Sequence, residues 1–165
     1  MNTLYIFGAK YFIYLIILAA VICFFFLNRE KKKEAIVFSV IALPIIYIVA
    51  KIGGTLYYDP RPFIVGHFTP LISHSPDNGF PSDHALLASA LAMVAHYFNK
   101  KAGIIFWLFA ILVGASRVLV GVHHAIDIVG SMIISIVVAA FVYKFIFPRI
   151  LRSEFYKNLS IPFLK

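Results

Sequence analysis

Two histidines, an aspartate and two arginines in this chain have the types and spacing to do chemistry. His123 precedes Asp127 by four residues, so on a helix the two share a face and can bond. A carboxylate on one imidazole nitrogen fixes the tautomer and raises the basicity of the other, which can then attack or accept a proton. His84 belongs to a different stretch, FPSDH at 80–84, and can supply a proton from the opposite side. Ser82 is placed to cap the helix that follows, and a helix N-terminus is a ready anion site. Arg61, within KIGGTLYYDPRPF at 51–63, and Arg117, within SRVLVGVHHAID at 116–127, add guanidinium forks suited to bidentate phosphate contacts. This is a kit for phosphoryl transfer without a metal, because a divalent ion wants several oxygen ligands and carboxylates are few.

The elements that carry these residues must be membrane helices. Of 165 residues, 62% are hydrophobic and 13% charged, with a mean hydropathy of +0.92. Soluble domains run about 45–50% apolar and about 25% charged. The expected fold is all-α: one polytopic bundle over residues 1–165, its core motifs in 51–127. Apolar runs at 11–27, 35–58, 85–98, 102–115 and 126–147 predict five spans. A crossing needs about 20 residues, so the third and fourth must borrow from their flanks. FNKK at 98–101 reads as a tight turn, and residues 1–10 as a short segment in the interface. The first run ends in NREKKK rather than small residues, which predicts an anchor and not a cleaved signal. Cys23 is the single cysteine, so no disulfide framework exists.

Charge layout orients the bundle. Arg29, Lys31, Lys32 and Lys33 follow the first span and Lys100 and Lys101 the third; Lys144, Arg149, Arg152, Lys157 and Lys165 close the chain. With five spans these segments share one side, which the positive-inside rule makes cytoplasmic. The +8 net charge is therefore a topology signal and an attraction for anionic lipid head groups, not a nucleic-acid footprint. Asp59, Asp77, Asp83 and Asp127 fall on the other side with His67, His74, His84, His123 and His124. The reactive chemistry is thus expected at the extracytoplasmic face of a cell membrane.

Three motifs resemble the signature of the type 2 phosphatidic acid phosphatase superfamily, the lipid phosphate phosphatases: K-x6-R-P, P-S-x-H and S-R-x5-H-x3-D. Pro81-Ser82-Asp83-His84 matches the second, and Ser116-Arg117 with His123 and Asp127 matches the third. The first departs. Arg61-Pro62 is present, but the lysine position falls on Gly54, and Lys51 lies one turn earlier on the same face of a continuing helix. Asp83 stands where many members carry glycine. Within the superfamily, the chain is most similar to the bacitracin-resistance type of undecaprenyl-diphosphate phosphatase. The resemblance implies that His123 attacks phosphorus, Asp127 orients it and His84 protonates the leaving oxygen. Arg61, Ser82, Arg117 and the Asp83 amide would hold the phosphate, with Lys51 a further candidate, and no cofactor is implied. The implied substrate is a polyprenyl diphosphate or another lipid phosphate; phosphatidylglycerophosphate and phosphatidate are alternatives.

The remaining histidines read more plainly. His67 and His74 fall in a loop where histidines are usually solvated, a substrate contact being the alternative. His124 points elsewhere than His123 on a helix and reads as interfacial; His96, about three turns beyond His84, reads as an interfacial or satisfied group rather than a relay. A non-catalytic lipid-phosphate binder or transporter would use the same anion site. Transporters, however, typically show repeats and midplane charges, which are not seen.

Overall fold

The structure is a computed structural model that describes residues 2–161, so Met1 and Lys165 lie outside the described residues. Six helices carry the architecture: α1 (Asn2–Phe25), α2 (Arg29–Leu56), a single turn α3 (Pro62–Val65), α4 (Asp83–Phe98), α5 (Lys100–Leu119) and α6 (Ala125–Phe141). A π-helical turn, Val142–Ile146, extends α6 into α7 (Phe147–Leu151), and α8 (Glu154–Asn158) follows. Pro148 has no N–H to give the ladder, and the widened turn lies just before it. The described residues contain no strand, only an isolated bridge between Pro60 and Asn78.

Four segments are long and apolar enough to cross a bilayer: α1, α2, α5, and α6 with its extension to Leu151. This is a multi-pass membrane protein. α4 has 16 residues, about 24 Å at 1.5 Å per residue, against a hydrocarbon core of about 30 Å. It is sheathed by its neighbours: Ala85, Ala88, Ala90 and Ala92 are all buried. Small residues let membrane helices approach closely where no hydrophobic drive separates protein from lipid. Gly103 of α5 lies against backbone, since a Cβ there would meet His96 Cα of α4 at 2.4 Å. Asn99 makes the expected tight turn: it caps the C-terminus of α4, and its Oδ1 accepts the N–H groups of Lys101 and Ala102 in α5. Ser89 of α4 donates to Ser135 of α6 at 2.9 Å in a fully buried link.

The N-terminal segment differs from the expectation. Residues 2–10 are not a separate interfacial piece but the first turns of α1. The reason is packing: Gly8 and Ala9 are buried, and a Cβ on Gly8 would lie 3.0 Å from Ser116 Cβ. Tyr5, Ile6 and Ala9 close over Val120 and Val122, the stretch that leads into His123. A segment too short to cross alone is thus recruited to roof the site.

Candidate active site

Arg61, Ser82, Arg117, His123 and Asp127 come together at one end of the bundle, and all five are buried. Two burials are unusual enough to matter: Arg61 is 5% exposed and Arg117 4%. Buried guanidiniums need partners, and those partners define the site.

His123 does not share a helical face with Asp127, because it lies in the loop ahead of α6. Asp127 is in the first turn of α6, and His124 is the residue that caps it. The pair forms nonetheless: Nδ1 of His123 is 3.1 Å from Asp127 Oδ2. The same carboxylate oxygen accepts the backbone N–H of His124 at 2.9 Å. A carboxylate can only accept, so Nδ1 carries the proton and Nε2 of a neutral His123 holds a lone pair. Nε2 lies 3.3 Å from Nη1 of Arg61. Burial pushes the His123 pKa below the ordinary histidine value, the charges of Arg61 and Arg117 push the same way, and the Asp127 bond opposes them.

Arg61 precedes α3 and is held from several directions. Its Nε donates to Asp77 Oδ1 at 2.7 Å, Nη1 to Val122 O at 2.8 Å and Nη2 to Asn78 O at 3.3 Å. Burial alone would raise the Asp77 pKa, but its bond to Arg61 and the guanidinium charge outweigh that and keep it below the usual carboxylate range. Arg117 is far less committed. Among the described residues its Nε has no partner, and Nη1 reaches Ala9 O at 3.5 Å. A buried guanidinium with spare donors is set up to take an anion.

Ser82 occupies the N-cap of α4, but its hydroxyl does not cap the helix as expected. Its carbonyl accepts from Leu86 N–H, while Oγ is buried and unpartnered among the described residues. The first-turn N–H groups of α4 are left without a side-chain cap, which preserves the anion-binding end of the helix.

A cavity of about 380 Å³ opens here, lined by Lys51, Arg61, Asp83, His84, Arg117 and His123. Ser82 and Asp127 stand behind its wall. Lys51, one turn before the signature position, does face this space and pairs with Asp83 Oδ1 at 3.5 Å across the rim. Gly54 also lines the cavity; a Cβ there would meet Phe80 O at 3.0 Å. A larger apolar cleft of about 730 Å³ lies towards the other end, among Phe24, Ile36, Val94 and Phe98, and has no charged lining.

Three further cavity residues come from the loop in which sequence alone reads His74 as solvated or in contact with substrate, and gives Asp77 and Asn78 no role. His74 and Asp77 come from the loop after α3, and the His74 ring lies 6.0 Å from that of His123. Burial, then the charge of Arg61, lowers the His74 pKa. Asn78 joins the loops: its Oδ1 accepts from Asp59 N–H and Phe80 N–H, and Nδ2 donates to Gly54 O and Tyr57 O. His124, read as interfacial, is partly exposed and also bonded: its Nδ1 is 2.9 Å from Asp59 Oδ2. His67 is exposed in the loop after α3.

Residues 35–151 match the PAP2 superfamily. The chain belongs to that superfamily. It is 31% identical over 144 residues to the bacitracin transport permease protein BcrC of Bacillus licheniformis, which covers 87% of this chain and 70% of that protein. It is 36% identical over 90 residues to undecaprenyl-diphosphatase BcrC of Bacillus subtilis (strain 168), covering 54% of this chain and 47% of that one. Among solved structures, Aquifex aeolicus LpxE superposes with a TM-score of 0.67 at 25% identity over 88% of each chain. The PAP2 match begins inside α2 and ends with α7, so it includes every residue of the cavity wall but leaves out α1, which roofs it.

Proposed function

We propose that this PAP2 lipid phosphatase releases the terminal phosphate of a polyprenyl diphosphate, undecaprenyl diphosphate in particular, at the extracytoplasmic end of five membrane crossings. One observation carries the chemistry: a buried histidine, locked to a carboxylate through Nδ1, lines a cavity walled by two arginines and two further histidines. Similarity to an undecaprenyl-diphosphatase supports the choice of substrate.

The terminal phosphate would sit between Arg117, the α4 N-terminus and the Ser82 hydroxyl. Arg61 already lies beside His123 Nε2 and would take a non-bridging oxygen as negative charge develops. The Nε2 lone pair attacks phosphorus and forms a P–N bond as the bridging P–O bond breaks. His84 gives its proton to the departing polyprenyl phosphate. Water, deprotonated by His84, then attacks the phosphohistidine, and the P–N electrons return to His123. Asp127 stabilises the charge on the imidazole throughout. A diphosphate at the cavity leaves its prenyl tail free to remain in lipid.

The test is phosphate release by the purified protein in detergent, with EDTA throughout, from undecaprenyl diphosphate, phosphatidylglycerophosphate and phosphatidate. The expected result is fastest turnover of the diphosphate and a trapped phosphoenzyme that maps to His123. Preference for a phosphatidyl substrate would reassign the lipid. No release from any of the three would return the site to a binder or carrier, and a strict need for added Mg²⁺ would overturn the metal-free mechanism.

A further inference from the structure

A second histidine–carboxylate pair lies beside the first. Asp59, two residues before Arg61, receives His124 Nδ1 at 2.9 Å, and His124 directly follows the nucleophile proposed above. The two pairs are joined twice. Asp127 Oδ2 accepts both His123 Nδ1–H and the backbone N–H of His124, so the orienting carboxylate depends on where residue 124 is held. Gly79 then bridges the two acids: its N–H donates to Asp59 O at 2.8 Å, and a Cβ there would meet Asp127 Oδ2 at 2.9 Å and Asp59 O at 3.0 Å. The His124 side chain is the tether between the segment carrying Arg61 and the helix end carrying Asp127.

We propose that Asp59 and His124 are positioning residues for the phosphatase reaction, an outer pair that holds the His123–Asp127 pair in its reactive geometry. The inference rests on His123 being the nucleophile. His124 is the N-cap of α6, and its backbone N–H bonds the Asp127 carboxylate. If the ring comes loose, the backbone N–H can rotate away, and Asp127 loses one of its two fixed donors. Asp59, His124 and Asp127 also lie close enough to share a cation. Here, however, Oδ2 of each aspartate already faces an imidazole nitrogen within hydrogen-bonding distance, which makes the cluster a brace.

The decisive comparison is Asp59→Ala against Asp59→Asn. Both remove one charge, so any field effect on His123 is equal, but only asparagine keeps an acceptor for the His124 ring. The charged and titratable groups that face His123 stay in place in both: Asp127, Arg61, Arg117, His74 and His84. The alanine variant should lose kcat by roughly ten- to hundred-fold with KM little changed, by analogy with the range for outer partners of metal-ligating histidines. The asparagine variant should recover the larger part. The His123 imidazole, followed by nitrogen NMR in detergent, should titrate differently in the alanine variant alone. If Asp59→Ala fails to fold, His124→Ala removes the same tether and should give the same pattern. Equal kcat and equal titration in both Asp59 variants would overturn the proposal. So would a fall in thermal stability with His123 unmoved. Should the wild type hydrolyse no lipid diphosphate, the substrate reading fails, while the NMR comparison still decides the brace.

Discussion

At the scale of single residues, the site depends on one tautomer. Asp127 can only accept, and it already serves two donors, the His123 ring and the His124 backbone. Asparagine there could present its amide N–H to His123 Nδ1, forcing the proton onto Nε2 and removing the attacking lone pair. Asp127→Asn should therefore lose roughly four orders of magnitude in kcat, as the corresponding change does in a serine-protease triad. His123→Ala should abolish turnover while lipid still binds; near-normal release by that variant would remove His123 as nucleophile. The pH profile follows from burial. The lowered His123 pKa keeps the ring neutral below the ordinary value of about 6.5. The acid limb of kcat/KM, which reports the free enzyme, should accordingly lie below pH 6.5. A limb at or above that value would mean that Asp127 outweighs burial and the two arginines. The same shift has a stability consequence: the unfolded chain takes the proton first, so the His123 contribution is complete above about pH 6.5 and is lost as pH falls towards the folded value.

At the scale of elements, small residues set how closely helices approach, and two glycines separate this from helix propensity. At Gly103 an added Cβ would strike backbone, His96 Cα at 2.4 Å. Gly103→Ala should therefore destabilise by about 1–3 kcal/mol, beyond the ~1 kcal/mol gained from propensity. At Gly53 the nearest atom would be a Phe80 ring carbon at 3.5 Å, an ordinary contact, so Gly53→Ala should be neutral or stabilising. Thermal unfolding of both in detergent checks the pair; equal effects would mean the α4–α5 approach is looser than described. Elements were also where the sequence was most and least legible. The cavity residues Arg61, His84, Arg117 and His123 were readable because their spacing within short motifs is local. The link from Asp59 to His124 crosses 65 residues and leaves no periodic trace. The N-terminal turns of α1 were misread for a related reason: their length alone cannot span, and only the fit of Gly8 against Ser116 explains why they continue the helix. Ser82 was legible as a cap position, but the freedom of its hydroxyl was not, since what a side chain leaves unbonded depends on its tertiary surroundings.

At the scale of the molecule, the uneven layout of charge among the connecting segments is what supports the compartment proposed for the site. Eleven of the 15 lysines and arginines fall in segments that the proposed five crossings would place together: the α1–α2 turn, the α4–α5 turn and the chain after α6. Two of the other four, Arg61 and Arg117, are buried at the site, so they do not act as free interfacial cations. The positive-inside rule is the ground on which the cavity end is proposed to face the extracytoplasmic side. α4 is the element on which this depends, because with its 16 residues it is too short for a full crossing unless flanking residues and neighbouring helices complete its path. Were α4 only half-way in, the α4–α5 turn would lie within the membrane, with Lys100 and Lys101 in hydrocarbon at a cost of about 2.5–3.5 kcal/mol each. Single cysteines in a Cys23→Ser background resolve the matter: one at Thr69, exposed in the loop after α3, and one at Lys101 in the α4–α5 turn. In intact cells an impermeant thiol reagent should label Thr69→Cys and spare Lys101→Cys, which becomes reactive once the membrane is opened. Labelling of both in intact cells would put the two loops on one side and remove a crossing. The reverse pattern would turn the protein over and place the cavity in the cytoplasm, where a lipid diphosphate released on the outer leaflet could not reach it.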